Sequence, residues 1–145
     1  MIITIASDHA GYELKECIVE WLLKQGHTVE NEGPFNSESV DYPDFAHISA
    51  NKVNTGKSEK GIIICGTGNG VSITANKYIN VRAALCWIPE IAKLAREHND
   101  ANIITLPARF ITKESAIDMV KIFLSTAFEG GRHKKRIDKI KEIRK

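Results

Sequence analysis

The sequence predicts one α/β domain: a doubly wound, Rossmann-like α/β/α sandwich with a five-stranded parallel sheet and a basic helical tail at the C-terminus. Three observations predict it. Five short apolar or β-branched runs alternate with longer segments of helical spacing. The run Gly61–Cys65 (GIIIC) is apolar without alternation, as a strand covered on both faces should be. The 145 residues show no internal repeat, low-complexity block or linker, so a single domain over 1–145 accounts for all of them.

Ile2–Ala6 reads as the first buried strand. Tyr12–Lys24 follows with Leu14, Cys17, Ile18, Trp21 and Leu22 at helical spacing, and Gly26 stands where a helix-ending glycine is expected. His27–Asn31 is a short second strand. The loop from Glu32 to Asp44 carries Gly-Pro and Tyr-Pro, after which Phe45–Val53 returns to helical spacing until Thr55-Gly56. Gly61–Cys65 is the third strand and runs into the turn GTGNG, with a helix from about Val71 to Lys77. Arg82–Cys86 is the fourth strand, and Pro89 opens a helix through Glu97. Asn102–Leu106 is the fifth strand. Thr112 caps a helix to about Phe128, and Gly130-Gly131 begins the basic tail.

Charge and cysteine content narrow the classes of function. The net charge is +2, but the last fourteen residues hold eight Lys/Arg against Asp138 and Glu142, a net +6 that leaves −4 for the rest. A charge run of this kind is either a solvated helix face or a site for a phosphorylated small molecule. The acidic body and the lack of interleaved aromatics argue against nucleic acid. Cys17, Cys65 and Cys86 form no C-x-x-C pair and suit neither a disulfide framework nor a zinc site. The N-terminus lacks a basic leader and no apolar stretch is long enough to span a bilayer, so a soluble cytoplasmic protein without a membrane partner is expected.

In a doubly wound sheet, ligands bind beyond the carboxyl ends of the strands. The polar groups expected there are Asp8 and His9 after strand one, Cys65 with Gly66, Thr67, Gly68, Asn69 and Gly70 after strand three, and Arg109 after strand five. His98, Asn99 and Asp100 follow the helix after strand four and are expected at the sheet's edge. Three glycines in five residues just before a helix form a nest of inward N–H groups that suits a phosphate, a carboxylate or a developing oxyanion, or else a plain tight turn. The spacing matches neither dinucleotide nor P-loop fingerprints.

Cys65, ending a buried strand beside that nest, reads either as a small buried hydrophobe or as a thiolate base. Cys17 and Cys86 read as structural. His98 is a candidate for proton transfer near neutral pH. Asp8 and His9 are adjacent and serve different atoms if they act, or else they are capping residues. His27 and His47 have no polar constellation around them and read as structural. No His, Asp or Glu grouping has metal-ligand spacing, and no metal is expected. Arg132 and Arg136, four apart, share a helix face and together suit a phosphate monoester.

Taken together, SDHAGYELK, SVDYPDFA, ICGTGNGVSITANK, AREHNDANII and EGGRHKKRI resemble the type B ribose-5-phosphate isomerases, in a superfamily that also holds the galactose-6-phosphate isomerase subunits. The resemblance covers nearly the whole chain in order. It implies a five-stranded parallel sheet, homodimers sometimes paired further into tetramers, sites shared between two subunits, and no metal or cofactor. It also implies an aldose-ketose isomerase of pentose phosphate metabolism that interconverts ribose 5-phosphate and ribulose 5-phosphate through an enediolate.

By the same resemblance Cys65 is the base between C1 and C2, Thr67 orients the thiol, and the Gly66–Gly70 amides hold the enediolate oxygen. His98 with Asp8 opens the furanose ring. His9, Arg109, Arg132 and Arg136 hold the phosphate, and Tyr42 and Asn99 line the sugar. A branch that uses a Glu after the nest is excluded, because Val71 stands there. Asn69 departs from the usual apolar residue, and its role stays open. A hexose 6-phosphate isomerase is the alternative within enzymes, and a phosphosugar-binding module the alternative outside them.

Overall fold

In the computed structural model, which describes residues 1–144, five strands alternate with six helices. In chain order these are β1 (Ile2–Ser7), α1 (Tyr12–Lys24), β2 (Thr28–Asn31), α2 (Tyr42–Asn54), β3 (Lys60–Cys65), α3 (Asn69–Ala75), β4 (Ala83–Leu85), α4 (Pro89–Asn99), β5 (Ile103–Pro107), α5 (Lys113–Ser125) and α6 (Arg132–Ile140). All strand pairings are parallel, in the order β2-β1-β3-β5-β4. The expected doubly wound sandwich is what the chain forms.

Alternate residues of the central strands point to opposite faces, and each face has its own apolar layer. Ile3, Ile5, Ile62, Ile64, Ile104 and Leu106 pack with α1, α4 and α5. Ala6, Ile63, Cys65 and Ile103 pack with α2 and α3. Non-alternating apolar strands are therefore the direct consequence of helices on both sides.

Several element ends differ from the sequence reading. α2 begins at Tyr42 rather than Phe45, because Pro43 falls in the first turn, where a missing N–H costs nothing. α3 begins inside the glycine turn at Asn69, its N-cap Gly68 taking the left-handed φ of 74°. α5 stops at Ser125, short of Phe128, with Thr126 already extended. Its start agrees: the Thr112 hydroxyl accepts the Ser115 N–H at 3.1 Å. The basic tail is helical over Arg132–Ile140, and Lys145 lies outside the described residues.

The turn from β1 into α1 shows how tightly the carboxyl end of the sheet is packed. A Cβ on Gly11 would fall 2.7 Å from Ile64 Cγ2 and 3.0 Å from the Ile64 carbonyl oxygen. Gly11→Ala is expected to lower stability by about 1–3 kcal/mol, the usual cost of overpacking, measured by denaturant unfolding. An unchanged midpoint would show that this turn has slack.

Candidate active site

The register of the central strands sets the first half of the site. Ser7 pairs with Ile64, and Cys65 pairs with Pro107, so the chain segments after β1, β3 and β5 emerge side by side. Main-chain bonds tie them together: Asp8 N–H to Ile64 O (3.1 Å), Ala108 N–H to Cys65 O (2.9 Å) and Arg109 N–H to Gly66 O (3.1 Å).

Cys65 is 4% exposed and accepts the Gly68 N–H on its Sγ at 3.1 Å. Gly68 can aim that N–H inward because it is left-handed, a conformation that carries no penalty only for glycine. A Cβ there would also strike Leu85 Cδ1 at 2.4 Å. The Thr67 hydroxyl accepts the Asn69 N–H at 3.3 Å and keeps its own proton to donate, while the Gly68 N–H is donated to the sulfur.

Tyr42 and Arg109 converge on the same turn. A Cβ on Gly70 would lie 2.4 Å from Tyr42 Cζ, and one on Gly66 would lie 3.1 Å from Arg109 Nη1. The glycines at 66 and 70 therefore let a phenol and a guanidinium rest against the nest. Asp8 is nearly buried, with Oδ1 accepting the Gly11 N–H at 3.0 Å. His9 Nδ1 accepts the Val40 N–H at 3.2 Å, which places the proton of the neutral ring on Nε2, where it can be donated.

Lys15, which the sequence reading did not single out, supports this half. Its side chain is wholly buried between the rings of Tyr12 and Phe35, pairs with Glu16, and donates to Asn31 Oδ1 at 3.0 Å. Asn31 Oδ1 in turn accepts the Gly33 N–H at 3.1 Å. This network fixes the start of the loop whose later residue Val40 bonds His9. A buried lysine is tolerable only with such partners.

The second half of the candidate set lies elsewhere. α4 runs back from the carboxyl end of β4 to the amino end of β5, so His98 and Asn99 sit at the opposite end of the sheet from Cys65. The length of β5 sets this separation at on the order of 15 Å. The edge position expected for His98 thus becomes a place at the amino end, where one chain cannot bring it to its own thiol.

There His98 stacks on His133, with ring centroids 4.3 Å apart and planes 15° from parallel. Burial, reinforced by Arg132 beside it, holds the His133 imidazole below its ordinary pKa. Arg132 and Arg136, with Lys135 and Lys139, line a shallow cavity of about 400 Å³ on α6. Asn99 is exposed, and its carbonyl accepts Arg82 Nε at 3.0 Å.

A model of ribose/galactose isomerases matches residues 3–140. The chain belongs to the ribose/galactose isomerase family. Within that family it is 41% identical to ribose-5-phosphate isomerase B of Escherichia coli over 97% of this chain and 95% of that protein. A crystal structure of a ribose 5-phosphate isomerase from Thermotoga maritima superposes with a TM-score of 0.96 at 51% identity, covering 98% of each chain. The family member from Mycoplasma genitalium, solved with bound ribulose 5-phosphate, superposes with a TM-score of 0.93 at 47% identity over 96% of this chain and 93% of that one. None of the described helices is long and apolar enough to cross a membrane.

The chain's three thiols differ in burial. Burial pushes Cys86 up to about 12, and it is fully enclosed, whereas Cys17 is half-buried. Since the thiolate is the nucleophile, iodoacetamide under mildly alkaline conditions should leave Cys86 unmodified in the native protein. Peptide mass spectrometry reads this, and labelling of Cys86 as fast as Cys17 would contradict it.

Proposed function

We propose that this chain interconverts ribose 5-phosphate and ribulose 5-phosphate, with Cys65 as the base. The observation that carries the reading is the Gly68 N–H donated to Cys65 Sγ inside a nest of main-chain donors. Abstracting a proton beside a carbonyl creates an enediolate, so base and oxyanion donors must meet about one bond apart. In this chain they are consecutive residues.

The steps balance on the sugar itself. Sγ takes the C2 proton of the open-chain aldose as negative charge develops on O1 beside the glycine turn. The same proton returns to C1, and the O2 hydroxyl proton passes to O1, leaving a C2 carbonyl. Arg109, Tyr42 and the Nε2–H of His9 stand around the nest to hold the rest of the substrate. Thr67 and Asn69 are exposed beside it. A small-molecule sugar phosphate is the partner, and no step requires a metal or cofactor.

The remaining residues come from a second copy. His98 and Asn99 with Arg132 and Arg136 lie too far along the sheet to serve their own Cys65, so a homodimer supplies them across the interface. There His98 and the near Asp8 open the ring, and the arginines take the phosphate. The nest is bordered by a cavity of about 610 Å³ lined by Leu85, Trp87, Ile88, Pro107 and Phe110, with Phe110 73% and Trp87 52% exposed. So much exposed apolar area favours a covering partner.

Purified protein should interconvert the two pentose phosphates with EDTA present and prefer them over allose or galactose 6-phosphate. Cys65→Ala should keep the fold and lose at least ~100-fold in kcat, the scale of a general base. Near-normal turnover of that variant would remove Cys65 from its role. Arg136→Ala should mainly raise KM; a change confined to kcat would argue against phosphate anchoring.

A further inference from the structure

The neighbourhood of His98 holds more chemistry than ring opening needs. His98 ends α4, Glu129 lies between α5 and α6, and His133 opens α6. Their ligand atoms all fall within 4.8 Å of one another. Two features hold them there: the Glu129 N–H donated to Glu97 O at 3.1 Å and the burial of His133 at 5% exposure.

His133 Nε2 is the anomaly. It is buried and has no hydrogen-bond partner, although Glu129 Oε2 stands 3.4 Å away. Buried polar nitrogens are almost always partnered, and an orphaned one is costly.

We propose that His98, Glu129 and His133 form a binding site for a divalent transition metal ion, Zn²⁺ in particular, and that its occupancy inhibits the enzyme by taking His98. Two imidazoles and one carboxylate are a zinc donor set, and they disfavour Ca²⁺ and Mg²⁺, which require oxygen ligands. Bonds of 2.0–2.2 Å place tetrahedral ligand atoms roughly 3.3 Å apart. The Glu129–His133 pair already has that spacing. The half-exposed His98 leaves its stack on His133 to turn a ring nitrogen toward the ion, and the exposed Glu129 moves with it to close the wider gap. Arg132 and Arg136 oppose a dication, so only a strongly coordinating metal suits the site. The inhibitory half of the proposal rests on the catalytic role of His98; the binding half does not.

Isothermal titration of Zn²⁺ into EDTA-stripped, re-buffered full-length protein tests binding, and the visible spectrum of the Co²⁺ form identifies the donors. One Zn²⁺ per chain is expected, with Co²⁺ ligand-field bands and no thiolate-to-cobalt charge-transfer band. Glu129→Gln and His133→Ala should each weaken binding at least ~10-fold, while Cys65→Ser leaves it unchanged. Zn²⁺ should inhibit turnover reversibly with EDTA, and Glu129→Gln should turn over normally yet resist Zn²⁺. No stoichiometric binding, or binding lost in Cys65→Ser and kept in Glu129→Gln, would overturn the site. Stoichiometric binding without inhibition would keep the site and overturn the role of His98.

Discussion

Every feature of this molecule answers to one constraint: all five strands run the same way. A parallel sheet sends whatever follows a strand to one end and whatever precedes it to the other. Cys65, the glycine nest, Asp8, His9 and Arg109 follow strands and gather at the carboxyl end. His98 and Asn99 precede β5 and are held at the amino end with the start of α6. The pairing of Cys65 with Pro107 leaves no freedom to move one toward the other. In the reading proposed above each of these groups is one half of a site, and symmetry between two copies is the economical way to join them.

The carboxyl-end half is built mostly from backbone. Gly68 and Gly70 bring the main chain against Leu85 and Tyr42 at distances a Cβ would not permit, and Gly66 lies close against Arg109. What that closeness provides is one main-chain donor, the Gly68 N–H, fixed on the sulfur. The amino-end half is built from side chains on helices α4 and α6. Its His133 is enclosed while Arg132 and Arg136 are exposed to solvent.

The strands and most helices were legible because their signals are local: apolar runs, helical spacing, Gly26 after α1 and the Thr112 cap. The start of α2 was misread because Pro43 punctuates chains as readily as it opens helices. The resemblance of five motifs supplied roles that spacing alone left open at Cys65 and His98. The position of His98 could have been read from the direction of α4, which must return to the amino end of β5. Three other features carried no local signal. Lys15 looks like a surface residue of an amphipathic helix, yet it is buried. The Thr67 hydroxyl accepts the Asn69 N–H, a partner that its spacing from Cys65 does not indicate. His133 acquires meaning only when α6 folds back onto α4, a contact that no sequence spacing encodes.

Complementation between two dead variants tests the two-half site most directly. Cys65→Ala and His98→Asn each remove one half, and a mixed dimer restores one intact site of two. Co-expressed in equal amounts and assayed on ribose 5-phosphate, they should recover about a quarter of wild-type activity, because random pairing makes half of the dimers mixed. Activity no greater than that of the two variants purified separately would contradict a site shared between copies.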